Sequence, residues 1–165
     1  MILRYKQPVS VLVVIYTAPS TGAGQSPAQT GSGQAQDIKV LLLERADHPG
    51  YWQSVTGSCE PCEALRDTAL REVREETGLD ASQYALSDWQ MQNDYEIYPH
   101  WRHRYPPGIT RNTEHVFGLQ LPHLIDVQIS PHEHLNFQWL AWQDAAEKVF
   151  SPSNRAAILE LPERM

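Results

Sequence analysis

Residues 8–16, PVSVLVVIY, are apolar and β-branched almost without interruption. A continuous apolar run of this length, rather than an alternating one, marks a buried strand. A second such run, IKVLLLE, spans Ile38–Glu44. Two buried strands need other elements packed over them, and this constrains the fold more than any other feature of the chain. Between them, residues 18–36 read APSTGAGQSPAQTGSGQAQ and contain only Ala, Pro, Ser, Thr, Gly and Gln. That composition buries too little apolar area to offset ordering entropy, so it predicts a flexible insertion between two strands and not a domain boundary.

The remaining pattern alternates strands with helices. YWQSVTG predicts a short strand ending at Gly57. A helix is expected over 64–77, stopped by Gly78 as its C-cap. Strands are expected around 84–98, 114–121 and 136–142. WQDAAEKVF and PSNRAAILEL read as helices, the second with Pro152 in its first turn. The expectation is an α/β domain, with helices packed on a mixed sheet. A length of 165 residues without internal repeats suits a single domain over 1–165.

Charge and cysteine usage narrow the role. A formal net charge of −7 repels the phosphates of long nucleic acids. A small polyanion held through a divalent cation stays compatible with it, because the ion inverts the local field. The apolar run near the N-terminus is too short for a membrane helix and lacks a small-residue cleavage site. With two cysteines and no export signal, the simplest address is cytoplasmic. The oligomeric state stays open between monomer and homodimer.

The 64–77 helix carries the chemistry. On a helical wheel Leu65, Ala69 and Val73 form an apolar stripe. Glu72 and Glu76 fall beside it, with Glu75 on the neighbouring flank. Solvated carboxylates normally lie opposite the apolar stripe. Here Glu72 and Glu76 repel each other at i, i+4, near a helix end whose dipole favours cations. Arg71 and Arg74 point elsewhere on the wheel. A divalent cation explains the arrangement, since three carboxylates at this spacing supply the hard oxygen donors that Mg²⁺ or Mn²⁺ prefers. A plain charged helix is the alternative.

Gly57, then five residues, Glu63, then seven residues, then REVREETGL over Arg71–Leu79, resembles the Nudix box across 23 residues. The resemblance implies the Nudix fold, a mixed sheet between helices with the box as loop–helix–loop. It also implies Mg²⁺-dependent hydrolysis of a diphosphate linkage. By the same resemblance Glu72, Glu75 and Glu76 are metal ligands, with the Gly57 carbonyl as a further one. Arg71 orients the glutamates and Glu63 supports the loop–helix geometry.

Family members often draw a further acid from outside the box. Glu133, in SPHEHLNFQWL, matches a pattern in which Glu-His precedes a Trp-containing strand, and it would orient or deprotonate the attacking water. Glu114 competes for this role. In YPHWRHRYPPGITRNTEH, the residues Arg102, Arg104 and Arg111 stand among aromatics on an otherwise acidic protein. They are candidates to hold phosphates, with Tyr105 or Trp52 stacking on a planar ring. Arg outnumbers Lys ten to three, so composition alone accounts for part of this.

PVSVLVVIY, WQSVTGS, RHRYPPGITRNTE and SNRAAI together resemble the Nudix branch that hydrolyses dihydroneopterin triphosphate in folate biosynthesis and also acts on dATP. A Nudix domain that senses nucleotides without cleaving them is a rival, although such domains often lose box glutamates. Cys59 and Cys62 form a Cys-x-x-Cys, which elsewhere marks redox or zinc sites. Both fall in the unspecified positions of the box, Cys62 where relatives often carry Gly, and no other cysteines accompany them.

Overall fold

The computed structural model describes residues 4–18 and 37–164. The insertion expected at 18–36 therefore lies outside the described residues, Ala18 excepted. The first strand, β1, runs Val9–Thr17, and β2 runs Lys39–Arg45. The single strand expected over 51–57 is two, β3 at Trp52–Gln53 and β4 at Val55–Ser58. The break at Ser54 follows from a change of partner: Gln53 pairs with Leu43 of β2, whereas Val55 pairs with Val13 of β1.

Helix α1 spans Leu65–Thr77, and β5 and β6 span Ala85–Glu96 and Arg111–Leu121. Strand β7 covers His134–Ala141 and leads straight into α2 at Trp142–Lys148 and α3 at Pro152–Leu159. The predicted end of α1 holds: Gly78 adopts a φ of 75° and donates its N–H to the Arg74 carbonyl. That left-handed conformation is cheap only for glycine.

The strands form one mixed sheet, ordered β3-β2-β1-β6-β5, with β4 also on β1 and β7 also on β2. β1 runs parallel to β6 and antiparallel to β2 and β4. Its unbroken apolar run reflects burial on both faces. Val11, Val13 and Ile15 enter one core with Ala69 and Val73 of α1. Leu12, Val14 and Tyr16 enter the other with Ala145 of α2 and Ala157 and Ile158 of α3. The sheet is thus sandwiched between α1 and the α2–α3 pair, the α/β architecture expected. Among the described residues no helix is long and apolar enough to cross a membrane.

Candidate active site

Helix α1 buries its acids as well as its apolar stripe. Glu72 is 8% exposed and Glu76 3%. Glu72 lies against Gly57 of β4, so closely that a Cβ on residue 57 would overlap its carboxylate. Burial pushes the Glu72 carboxyl up to about 7, opposed by Arg71 and reinforced by Glu75. Burial also drives Glu76 well above the ordinary carboxylate range, with the charges of Glu72 and Glu133 adding to it. Glu76 Oε1 lies 3.3 Å from His134 Nε2. Burial holds that imidazole down to about 4, so it is neutral at pH 7 and supplies no full cation. Glu76 Oε2 is buried without a hydrogen-bond partner.

Arg71 ties the helix to the preceding loop. Its Nε donates to Glu63 Oε2 at 2.9 Å and its Nη2 to Glu63 Oε1 at 2.8 Å. Nη1 donates to Glu72 Oε1 at 2.8 Å, and Nη2 also to the Ser58 carbonyl at 3.0 Å. Glu75 is more distant, at 3.4 Å from Nη1, and half exposed. The wheel placed Arg71 away from the glutamates; the long guanidinium arm bridges that separation. Paired with Arg71, Glu63 is held down to about 2 and accepts as well from Thr68 Oγ1 and the Glu60 N–H.

Glu76, Gly57 and Glu133 line a cavity of about 540 Å³, within the range of small-molecule sites. Lys6, Arg45 and Arg104 line it too. Asp47 accepts from both arginines, at 2.7 and 2.8 Å from Arg45 and 2.9 Å from Arg104. Lys6 makes no ion pair among the described residues; burial and then Arg104 lower its pKa. Tyr98, Trp101 and Phe150 supply an aromatic wall, with Arg45 stacked 4.4 Å from the Trp101 ring centre.

Among the described residues no three His, Cys, Asp or Glu side chains stand ready as a metal-holding set. Arg71 engages Glu72, and Glu76 faces His134. Donor chemistry nevertheless fits a hard divalent cation. Buried carboxylates repel one another, and Glu76 Oε2 is an acceptor with nothing to accept from.

Of the residues expected to hold phosphate or stack on a ring, Arg104 and Tyr105 line the cavity and Arg102, Arg111 and Trp52 do not. Arg102 turns to the Ile97 carbonyl at 3.0 Å and to Glu96. Arg111 is spent on Asp94. The Trp52 ring carries Lys148 at 4.3 Å and packs against the α2–α3 core. Glu133 and Glu114 both line the cavity, and the charge of Glu133 is among those that raise Glu72 and Glu76. Cys59 and Cys62 are free thiols outside the cavity lining. Cys62 adopts a φ of 63°, the left-handed conformation that glycine takes at least cost.

Sequence reasoning missed Lys6, Arg45 and Phe150. Arg45 had a signal, a polar end on an apolar strand, whereas nothing local marks Lys6 or Phe150.

Buried glutamates on a helix beside a cavity that carries Lys6, Arg45 and Arg104 suit the class to which the relatives point, the hydrolases of phosphoric anhydrides. The NUDIX domain family matches residues 30–161. An Escherichia coli K12 protein named dihydroneopterin triphosphate diphosphatase is 48% identical over 93% of this chain and 91% of its own. A Haemophilus influenzae protein of the same name is 38% identical, covering 96% of this chain and 89% of its own. The solved structure of the E. coli dihydroneopterin triphosphate pyrophosphohydrolase superposes with a TM-score of 0.77 at 44% identity, covering 93% of this chain and 94% of its own. The chain belongs to the Nudix family. Nudix hydrolases generally need a divalent metal.

Proposed function

We propose that this chain hydrolyses dihydroneopterin triphosphate to dihydroneopterin monophosphate and pyrophosphate, with Mg²⁺, or Mn²⁺ in its place. The observation that carries the reading is Glu76, a buried acid with an unpartnered oxygen lining the same cavity as Lys6, Arg45 and Arg104. The names of the relatives, similar over nine-tenths of the chain, supply the substrate.

In this reading Lys6, Arg45 and Arg104 neutralise and orient the triphosphate. Glu72, Glu75 and Glu76 would hold the metal with the Gly57 carbonyl, and the ion would supply Lewis acidity toward the phosphate oxygens. Arg71 and Glu63 fix the helix against its loop, so the acids keep their places. Glu133 positions the attacking water and takes its proton as the new P–O bond forms and the α–β anhydride bond breaks, releasing pyrophosphate. Tyr105 and the Tyr98–Trp101–Phe150 wall give the ring an apolar slot.

The substrate is a small molecule, and the negative net charge supports the absence of long nucleic acid as a partner. We further propose one domain over 1–165, acting in the cytoplasm as a monomer or homodimer without membrane attachment. A panel of dihydroneopterin triphosphate, dATP, 8-oxo-dGTP and ADP-ribose at fixed Mg²⁺ tests the substrate. The reading requires the highest kcat/KM for dihydroneopterin triphosphate; a clear preference for ADP-ribose would overturn it.

A further inference from the structure

One end of the cavity is built from acceptors that the mechanism above does not use. Asn112 and Glu114 stand two apart on β6, so both side chains face the same side of the sheet. Both line the cavity, and they are 1% and 4% exposed. Asn112 Nδ2 donates to Ser10 Oγ at 2.8 Å and to Tyr95 Oη at 3.0 Å, which leaves its Oδ1 buried without a partner. Glu114 Oε1 accepts from Ser153 Oγ at 2.8 Å, and no cation pairs with it among the described residues. Burial pushes its carboxyl up, with Ser153 and Asn93 opposing.

An unpartnered buried oxygen and a buried carboxylate with no cation beside it are both costly. Both are relieved by a ligand that brings adjacent N–H donors. Ser153 is itself placed firmly, because Asn154 beside it accepts from the Ser54 N–H at 2.8 Å and donates to Ser54 Oγ at 2.9 Å. The aromatic wall of Tyr98, Trp101 and Phe150 lines the same cavity as these acceptors.

We propose that Glu114, held by Ser153 and flanked by Asn112, selects the substrate's ring by accepting from the neighbouring N–H and NH₂ of a 2-amino-4-oxopyrimidine edge. Pterins and guanine present that edge. Adenine offers one donor and one lone pair, and the lone pair would face the carboxylate. Glu114 thus determines specificity and is not the acid of the chemical step. This inference rests on the proposed triphosphate hydrolysis for the direction in which the ring enters.

The test compares kcat/KM for dihydroneopterin triphosphate, dGTP and dATP in wild type, Glu114→Gln and Ser153→Ala, with thermal melts as the folding control. Glutamine keeps the shape and replaces one acceptor by a donor. In Glu114→Gln the preference for dihydroneopterin triphosphate and dGTP over dATP should fall roughly ten- to a hundredfold, the discrimination of one two-pronged contact. Ser153→Ala should shift it less, in the same direction. An equal loss on all three substrates would assign Glu114 to the chemical step and overturn the inference, as would unchanged ratios. If wild type cleaves dGTP and dATP but not dihydroneopterin triphosphate, the proposed substrate falls while the dGTP:dATP ratio still decides the role of Glu114. If it cleaves none, fluorescence-monitored binding of neopterin against adenosine decides it, weaker neopterin binding in Glu114→Gln being the supporting result and equal binding the contrary one.

Discussion

The Glu72 carboxylate occupies the space where any side chain on Gly57 would stand. The glycine of the box is therefore a fitted surface for an acid fifteen residues further on, and β4 must lie beside α1 for the two to meet. Gly57→Ala must move Glu72 or its strand, and overpacking of this kind typically costs about 1–3 kcal/mol. We expect a folded protein with a lowered melting temperature and pyrophosphate release reduced at least roughly tenfold, as displaced catalytic groups lose rate steeply. Melting curves and a turnover assay on the same preparation check it.

The Arg71–Glu63 pair predicts a pH-dependent contribution to stability. Glu63 is held at about 2 against an ordinary value of 4.5, so the unfolded chain binds its proton first as the pH falls. Its stabilisation is present in full above about pH 4.5 and disappears as the pH drops through about 2. Removing one side of such a charged hydrogen bond costs about 1–3 kcal/mol at neutral pH. Denaturant titrations of wild type and Glu63→Gln at several pH values should therefore differ at pH 7 and converge toward pH 2. A gap that stayed constant would contradict the pairing.

Glu72 gives the opposite sign. Its folded carboxyl lies at about 7, above the ordinary 4.5, so between these values the native state keeps a proton that the unfolded chain has released. In the metal-free protein the contribution of this group to stability is present in full below about pH 4.5 and is lost as the pH rises through about 7. Divalent cations need the ionised carboxylates, so added Mg²⁺ should raise the melting temperature more at pH 8 than at pH 5.5. Calorimetry in EDTA and in Mg²⁺ measures both effects without reference to activity.

The arginines separate by position. Arg104→Ala should raise KM for a triphosphate about tenfold or more, because a cavity cation is lost. Arg111→Ala removes an exposed pair with Asp94 and should leave KM within about twofold and stability within about 0.5 kcal/mol. Steady-state kinetics on the two variants decides between the cavity and the strand end as the phosphate site.

Much of this was legible in the chain. The unbroken β1 run announced burial, and its alternation into two cores explains why no polar face appears. The ends of α1 followed from the helix pattern and Gly78. The burial of Glu72 and Glu76 followed from their place beside Leu65, Ala69 and Val73. Which arginines reach the cavity was harder to read, because the island of Arg102, Arg104 and Arg111 is close in sequence but divided in space. A 3₁₀ turn at Pro99–Arg104 directs Arg102 and Arg104 to different partners. Arg111 precedes Asn112 on β6, so the strand's alternation turns it away from the cavity that Asn112 and Glu114 line. Lys6, Arg45 and Phe150 meet only through the sheet order, and no local pattern encodes a meeting of that kind.

Glu76 is the residue on which the account rests, and metal-dependent pyrophosphate release by Glu76→Gln tests it most directly. The substitution keeps the side chain's shape and removes its capacity to ionise beside His134. The account predicts a wild-type fold, with release from dihydroneopterin triphosphate at saturating Mg²⁺ lowered by roughly two orders of magnitude or more. Turnover close to wild type, with an unchanged Mg²⁺ dependence, would contradict it.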